Sequence, residues 1–154
     1  MINQNVILLA EDDGVDVLLT RRAFTKAGLR NPLHVVSDGV EALAYLSGEG
    51  QYADRSQHPL PVLLLLDLKM PHKNGLEVLE WIRDQPELSD LRVVVLTGSD
   101  QPQDIQDAYR LGATSYLTKP LVVEHLVQVC GTLADGCLCI DKPSEAVSSI
   151  LKSA

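Results

Sequence analysis

Apolar residues fall along this chain in two alternating patterns, short unbroken runs and longer stretches spaced three and four apart. Val6 to Ala10, Val62 to Leu66 and Val93 to Leu96 are unbroken runs. Such runs suit strands buried on both faces of a parallel sheet. Leu33 to Val36 and Ser115 to Thr118 read as two shorter strands. After Gly14 a helix carries Val15, Leu19, Ala23 and Ala27 on one face and stops at Gly28. Val40 to Leu46 is a second helix, closed by Ser47-Gly48. Gly75 to Asp84 is a third, with Leu76, Leu79 and Arg83 on one side and Val78 and Ile82 beside them; Gln85-Pro86 ends it. A fourth runs from about Gln103 to Leu111 with Gly112 as its C-cap, and a fifth places Val123, Leu126, Val127 and Cys130 at helical spacing. Each strand is followed by a helix, so the strands must be parallel and the fold class is α/β, a doubly wound (βα)5 sheet.

Two stretches depart from the alternation. Glu49 to Leu60 is polar and long for a helix-to-strand connection. Beyond Gly131 the pattern weakens: Cys137 to Ile140 is apolar, and Pro143 to Leu151 suits a short helix. Some twenty residues cannot build a core of their own. The tail is therefore expected to dock back, pair with another subunit or stay loose.

Composition narrows the function. At 154 residues, with 45% hydrophobic and 22% charged, the chain has the make-up of one globular domain. A formal net charge of −8 opposes nonspecific binding to nucleic acid or anionic lipid. No apolar run approaches the roughly 20 residues of a membrane span, and Met1 to Asn5 lacks the features of a signal peptide. A cytoplasmic location is expected. The cysteines, Cys130, Cys137 and Cys139, are odd in number and lack C-x-x-C spacing, which points to packing rather than to a disulfide framework or metal site.

The chemistry collects at the strand ends. The first strand ends in Glu11-Asp12-Asp13, the third in Asp67, the fourth in Thr97 and the fifth in Lys119-Pro120. In open α/β sheets the ligand crevice lies outside the carboxyl ends of the strands. Taken singly, each residue has a plain explanation: an Asp caps a helix, a Thr forms a turn, a Lys is solvated. Together they carry a physical demand, because two carboxylates about 4 Å apart repel by about 4 kcal/mol at an effective dielectric near 20. A hard divalent ion such as Mg²⁺ or Mn²⁺ would relieve that repulsion. Carboxylate, metal, hydroxyl and ammonium are the parts of phosphoryl transfer onto an oxygen nucleophile.

Glu11-Asp12, Asp67-Leu68-Lys69-Met70-Pro71, Thr97 and Lys119-Pro120, in this order and at these strand ends, resemble the receiver domain of two-component response regulators. The resemblance covers about Val6 to Leu133. It implies a flavodoxin-like fold with strand order 2-1-3-4-5, an order for which a receiver protein is a standard example. It implies that Asp67 accepts a phosphoryl group from the phosphohistidine of a sensor histidine kinase. It implies Mg²⁺ held by Asp12, Asp67 and the backbone carbonyl of Lys69, with Glu11 acting through water. Thr97 and Lys119 would bind the phosphoryl oxygens, Tyr116 would change rotamer with Thr97, and Lys69 and Ser99 occupy positions that tune hydrolysis.

The stretch Leu18 to Lys26, the long Gly48 to Leu60 loop and Ala113 to Leu117 also resemble the small stand-alone regulators of phytochrome-type kinases. That likeness implies a light-sensing kinase as donor and a homodimer. The expected organisation is a receiver over residues 1–133 and a tail over 134–154, with no output domain, so the signal leaves by protein contact. The cationic run Arg21, Arg22, Lys26 and Arg30, on an acidic chain, is a candidate docking face for the kinase.

Two alternatives stand beside this reading: a phosphorelay intermediate that passes the group to a histidine phosphotransfer protein, and a module that binds partners without phosphorylation. A dehalogenase-type phosphatase fits poorly, because that chemistry wants an acid two residues after the nucleophile and this chain has Lys69. The protein is expected to be no enzyme beyond self-phosphorylation from small donors and autodephosphorylation.

Overall fold

The structure, a computed structural model, describes residues 5–98, 101–133 and 138–140, and of residues 130–133 the backbone alone. The chain alternates as β1 (Ile7–Ala10), α1 (Gly14–Ala27), β2 (Leu33–Val36), α2 (Gly39–Ser47), β3 (Leu63–Leu66), α3 (Gly75–Arg83), β4 (Arg92–Thr97), α4 (Pro102–Arg110), β5 (Ser115–Thr118) and α5 (Val123–Leu133). All five strands are parallel, in the order β2-β1-β3-β4-β5. This is the flavodoxin-like arrangement expected from the sequence.

The apolar runs lie where continuous hydrophobicity demands, with helices over both faces. Leu63 to Leu66 are all fully buried, and each such side chain is worth about 1.5–3 kcal/mol relative to exposure. Leu64, Leu66 and their neighbours pack under α2, α3 and α4 through Ala42, Tyr45, Val78, Leu79 and Ala108. Leu63, Leu65, Val94 and Leu96 pack under α1 and α5 through Phe24, Ala27, Val123, Leu126 and Val127. Because side chains alternate between faces along a strand, one leucine run feeds both layers.

Helix α1 buries only the C-terminal part of the face its sequence spacing predicts, with Ala27 buried and Ala23 packed against the core. Thr20, Phe24 and Ala27 are buried, whereas Val15, Leu18 and Leu19 are exposed. At about 100° per residue, Val15 lies about 180° and Leu19 about 140° from Phe24. The helix cannot bury both sets, and the large Phe24 ring decides the rotation. Gly28 closes the helix in a left-handed conformation, its N–H shared between the Phe24 and Thr25 carbonyls.

The long connection after α2 is tied down rather than loose. After a 3-10 turn at Gly50–Tyr52, the Arg55 guanidinium donates to the Tyr45 and Leu46 carbonyls at 2.8 and 2.9 Å and to His58 O at 3.1 Å. It thereby helps cap the last carbonyls of α2, joining the Gly48 N–H on Tyr45 O. His34 and His58 pack edge to face with Tyr45, His58 packs edge to face with Tyr52, and the Tyr45 and Tyr52 rings are tilted at 47°.

Of the tail, residues 138–140 dock back onto the domain. Ile140 forms an antiparallel bridge with Leu29. Arg30 N donates to Cys139 O, and Cys139 N donates to Asn31 Oδ1, both at 2.7 Å. Leu138 and Ile140 pack on the α1–α5 layer. Cys139 is a half-buried free thiol. Ser99, Cys137, the side chain of Cys130 and the helix expected over 143–151 lie outside the described residues. Among the described residues, no helix is long and apolar enough to cross a membrane.

Candidate functional site

Parallel pairing carries the strand-end residues to one edge of the sheet, beside the β1–β3 crevice where the strand order reverses. Three ladder bonds extend past the strands and set these residues side by side. Glu11 N donates to Val36 O at 2.9 Å, Asp67 N to Ala10 O at 3.1 Å, and Lys119 N to Thr97 O at 2.9 Å.

The acids after β1 have separate tasks. Asp13 caps α1, its carboxylate accepting from the N–H groups of Val15 and Asp16 at 2.8 and 3.3 Å. Asp12 is exposed. Glu11 is 3% exposed, and its Oε2 accepts from Asp13 N. Glu11, Asp12 and Asp67 each bring a carboxylate oxygen within 4.8 Å of the others. An all-oxygen, anionic set of this kind suits a hard divalent ion.

Lys119 enters this group from the far edge of the sheet. Its ammonium donates to Glu11 Oε1, to Asp16 Oδ2 at 2.8 Å and to Asp67 Oδ2 at 3.2 Å. The sequence presented Lys119 as a charge waiting for an anion; in the structure it already neutralises the carboxylates that repel one another. Burial acts to lower the Lys119 ammonium, but its hydrogen bonds to Asp16 and Glu11 and the Asp67 charge outweigh it and hold it above its ordinary value. Burial outweighs the lowering effect of the bond with Lys119 and leaves Glu11 pushed up to about 7. The short contact with an ammonium favours the ionised pair.

Asp16 is the site residue that sequence reasoning missed. An acid in the first turn of a helix is explained by the macrodipole alone, so its spacing carried no signal of a contact 103 residues away.

The turn after β3 is built to present Asp67. Lys69 N donates to Asp67 Oδ1 at 3.2 Å, and Gly75 N donates to Leu68 O at 2.9 Å. A Cβ on Gly75 would stand 2.4 Å from the Asp67 carbonyl oxygen, so a larger residue would displace the turn. Asn74 and Glu77 form a capping box at the start of α3. The turn is also fastened to the α2 N-terminus. His72, in a left-handed conformation, places Nδ1 2.8 Å from Asp38 Oδ2. The Glu41 N–H and then His72 hold the Asp38 carboxyl below its ordinary value.

Thr97 ends β4 and is 1% exposed. Tyr116 pairs with Val95 in the ladder, so it shares a face with Thr97, and it is half-buried against the α2–α4 layer. The structure thus brings together Glu11, Asp12, Asp67 and Lys119, with the Lys69 turn at their side, and sets Thr97 and Tyr116 on the adjoining strands.

Comparison with known proteins gives the arrangement its family. The model of the response regulator receiver domain matches residues 7–130. Response regulator Rcp1 of Synechocystis is 40% identical over 124 residues, 80% of this chain and 82% of Rcp1. The bacteriophytochrome response regulator RtBRR superposes with a TM-score of 0.77 at 36% identity, covering 97% of this chain and 89% of that one. An Mn²⁺-bound form of Rcp1 superposes with a TM-score of 0.70 at 35% identity, covering 88% and 99%. That ion agrees with the Mg²⁺ or Mn²⁺ expected from the carboxylates, and relatives of phytochrome type agree with the narrower resemblance. Receiver domains are phosphoacceptors of two-component signalling rather than enzymes of metabolism. By sequence match, fold and strand-end chemistry alike, this chain belongs to the response regulator receiver domain family.

Proposed function

We propose that the domain formed by residues 1–133 is cytoplasmic and accepts a phosphoryl group on Asp67 from the phosphohistidine of a sensor kinase of phytochrome type. The phosphorylated protein then signals by contact with another protein. The observation that carries this reading is the buried Asp67 carboxylate at the end of β3, flanked by the Glu11 and Asp12 carboxylates and by the Lys119 ammonium at 3.2 Å.

In the transfer, a carboxylate oxygen of Asp67 attacks phosphorus. The new P–O bond forms as the P–N bond to the donor imidazole breaks, and the departing nitrogen keeps the electron pair and takes a proton from solvent. The product is an acyl phosphate. Asp12, Asp67 and the Lys69 carbonyl would hold Mg²⁺, with Glu11 acting through water; the bound ion supplies positive charge against the phosphoryl oxygens. Lys119 pairs with the same oxygens and the Thr97 hydroxyl donates to one of them. Tyr116, on the same face, follows Thr97.

The donor must approach over the rim of the crevice. Exposed Val15, Leu18 and Leu19 offer apolar surface there, with Arg21 and Arg22 exposed on the same helix. Apolar contact backed by charge suits docking of a helical, acidic partner.

A small acyl-phosphate donor with Mg²⁺ tests the assignment. The wild type should gain one acid-stable, base-labile phosphoryl group and Asp67→Asn none. Equal labelling of the two would refute it. Phosphotransfer profiling against the kinases of the same cell then identifies the donor.

A further inference from the structure

Lys119 has three carboxylate partners, and they are not equivalent. Glu11 and Asp67 belong to the trio whose oxygens lie within 4.8 Å of one another and suit a divalent ion; Asp16 does not. Asp16 nevertheless holds the ammonium at 2.8 Å, closer than Asp67 at 3.2 Å. Its place is fixed by the helix start, where its N–H donates to Asp13 Oδ1. A divalent ion in the trio would compete with Lys119 for the charge of Glu11 and Asp67, and it would repel the ammonium. The lysine side chain is only 16% exposed, so release of an unpaired ammonium into the crevice is costly.

We propose that Asp16 is the positioning residue for Lys119 in the metal-loaded site. With Asp12 and Asp67 holding the ion and Glu11 reaching it through water, the ammonium would keep Asp16 as its anionic partner and so remain beside Asp67, where the phosphoryl group would form. Asp16 thereby lets two cations share one crevice. The proposal rests on the metal site put forward above.

The test is calorimetric titration of Mg²⁺ into the full chain at near-physiological salt, comparing Asp16→Asn with Asp13→Asn. Asparagine keeps the Asp13 cap, so the second variant removes one charge from the same helix start without touching the lysine. Asp16→Asn should bind Mg²⁺ about threefold or more weakly than Asp13→Asn, the scale of one partly exposed ion pair. In a Lys119→Gln background the two should bind alike. A second readout is the ammonium ¹⁵N resonance of Lys119, expected to be sharp in Mg²⁺-loaded wild type and exchange-broadened in Asp16→Asn. Equal affinities in the wild-type background would overturn the proposal, as would an excess that persists without Lys119. A wild type that binds no Mg²⁺ would overturn the metal site itself, and the proposal with it.

Discussion

Replacing Lys119 by Gln removes the single ammonium that Glu11, Asp16 and Asp67 share. At an effective dielectric near 20, its attractions at 2.8 and 3.2 Å are about 6 and 5 kcal/mol before solvation and carboxylate repulsion are counted. Breaking a buried pair by removing one partner costs about 3–5 kcal/mol. The low end applies, since Asp16 is 30% exposed and Glu11 can take up a proton. About 3 kcal/mol corresponds to a fall in Tm of roughly 10 °C for a domain of this size. The deficit should depend on pH with a definite sign. Glu11 already sits near 7 against an ordinary 4.5, and loss of the lysine removes what holds it down. A carboxyl raised on folding makes the native state bind the extra proton, so stability falls as pH rises from the ordinary value through the raised one. The deficit should therefore be larger at about pH 8 than at about pH 5.5. Millimolar Mg²⁺ should restore more Tm to the variant than to the wild type, because the ion substitutes for the missing cation. Circular-dichroism melts with chelator and with Mg²⁺, at both pH values, measure this. A variant within about 2 °C of wild type in chelator at the higher pH would refute the reasoning, as would a deficit that Mg²⁺ does not shrink.

Gly75→Ala should lower Tm and slow labelling of Asp67, because its Cβ meets backbone atoms of Asp67 and Leu68 at 2.4 and 2.7 Å, an overpacking cost of about 1–3 kcal/mol. Gly14→Ala, with nothing within 4 Å, should leave both unchanged; equal loss in the two would remove the close approach as the cause. His34 is held below its ordinary value by burial, then by His58 and Arg21. Tyr45 OH donates to Pro59 O, leaving its oxygen to accept from His34 Nδ1, so acid must protonate the other ring nitrogen. The stability from neutral His34 is present above about pH 6.5 and is lost as pH falls below it. Chemical denaturation of wild type and His34→Gln across pH 5–7 should give a difference that narrows on acidification, and a constant difference would count against it.

The sheet and most of the site were legible in the sequence because their signals are local. The apolar run at Leu63, bounded by prolines, suits a buried strand, and the polar residue that ends each run inherits its position from the ladder. What was not legible depends on choices made between elements. Val15 and Leu19 match a helix period as well as Thr20 and Phe24 do, and only the packing of Phe24 against the sheet selects the face. Arg55 looked like one more polar loop residue until the end of α2 needed its guanidinium. Asp16 and His72 gain their partners across 103 and 34 residues, and no spacing rule reaches that far.

The reach of Lys119 also bears on synthesis. The ammonium that lets Glu11 and Asp67 lie together comes from the loop after β5, 52 residues beyond Asp67 and 103 beyond Asp16. A nascent chain that has emerged only through β4 possesses the nucleophile but not the charge that gathers the other carboxylates around it. Such non-local closure falls late in folding. Under the function proposed above, competence to receive a phosphoryl group would therefore arise only once the loop after β5 has folded against the ends of β1 and β3.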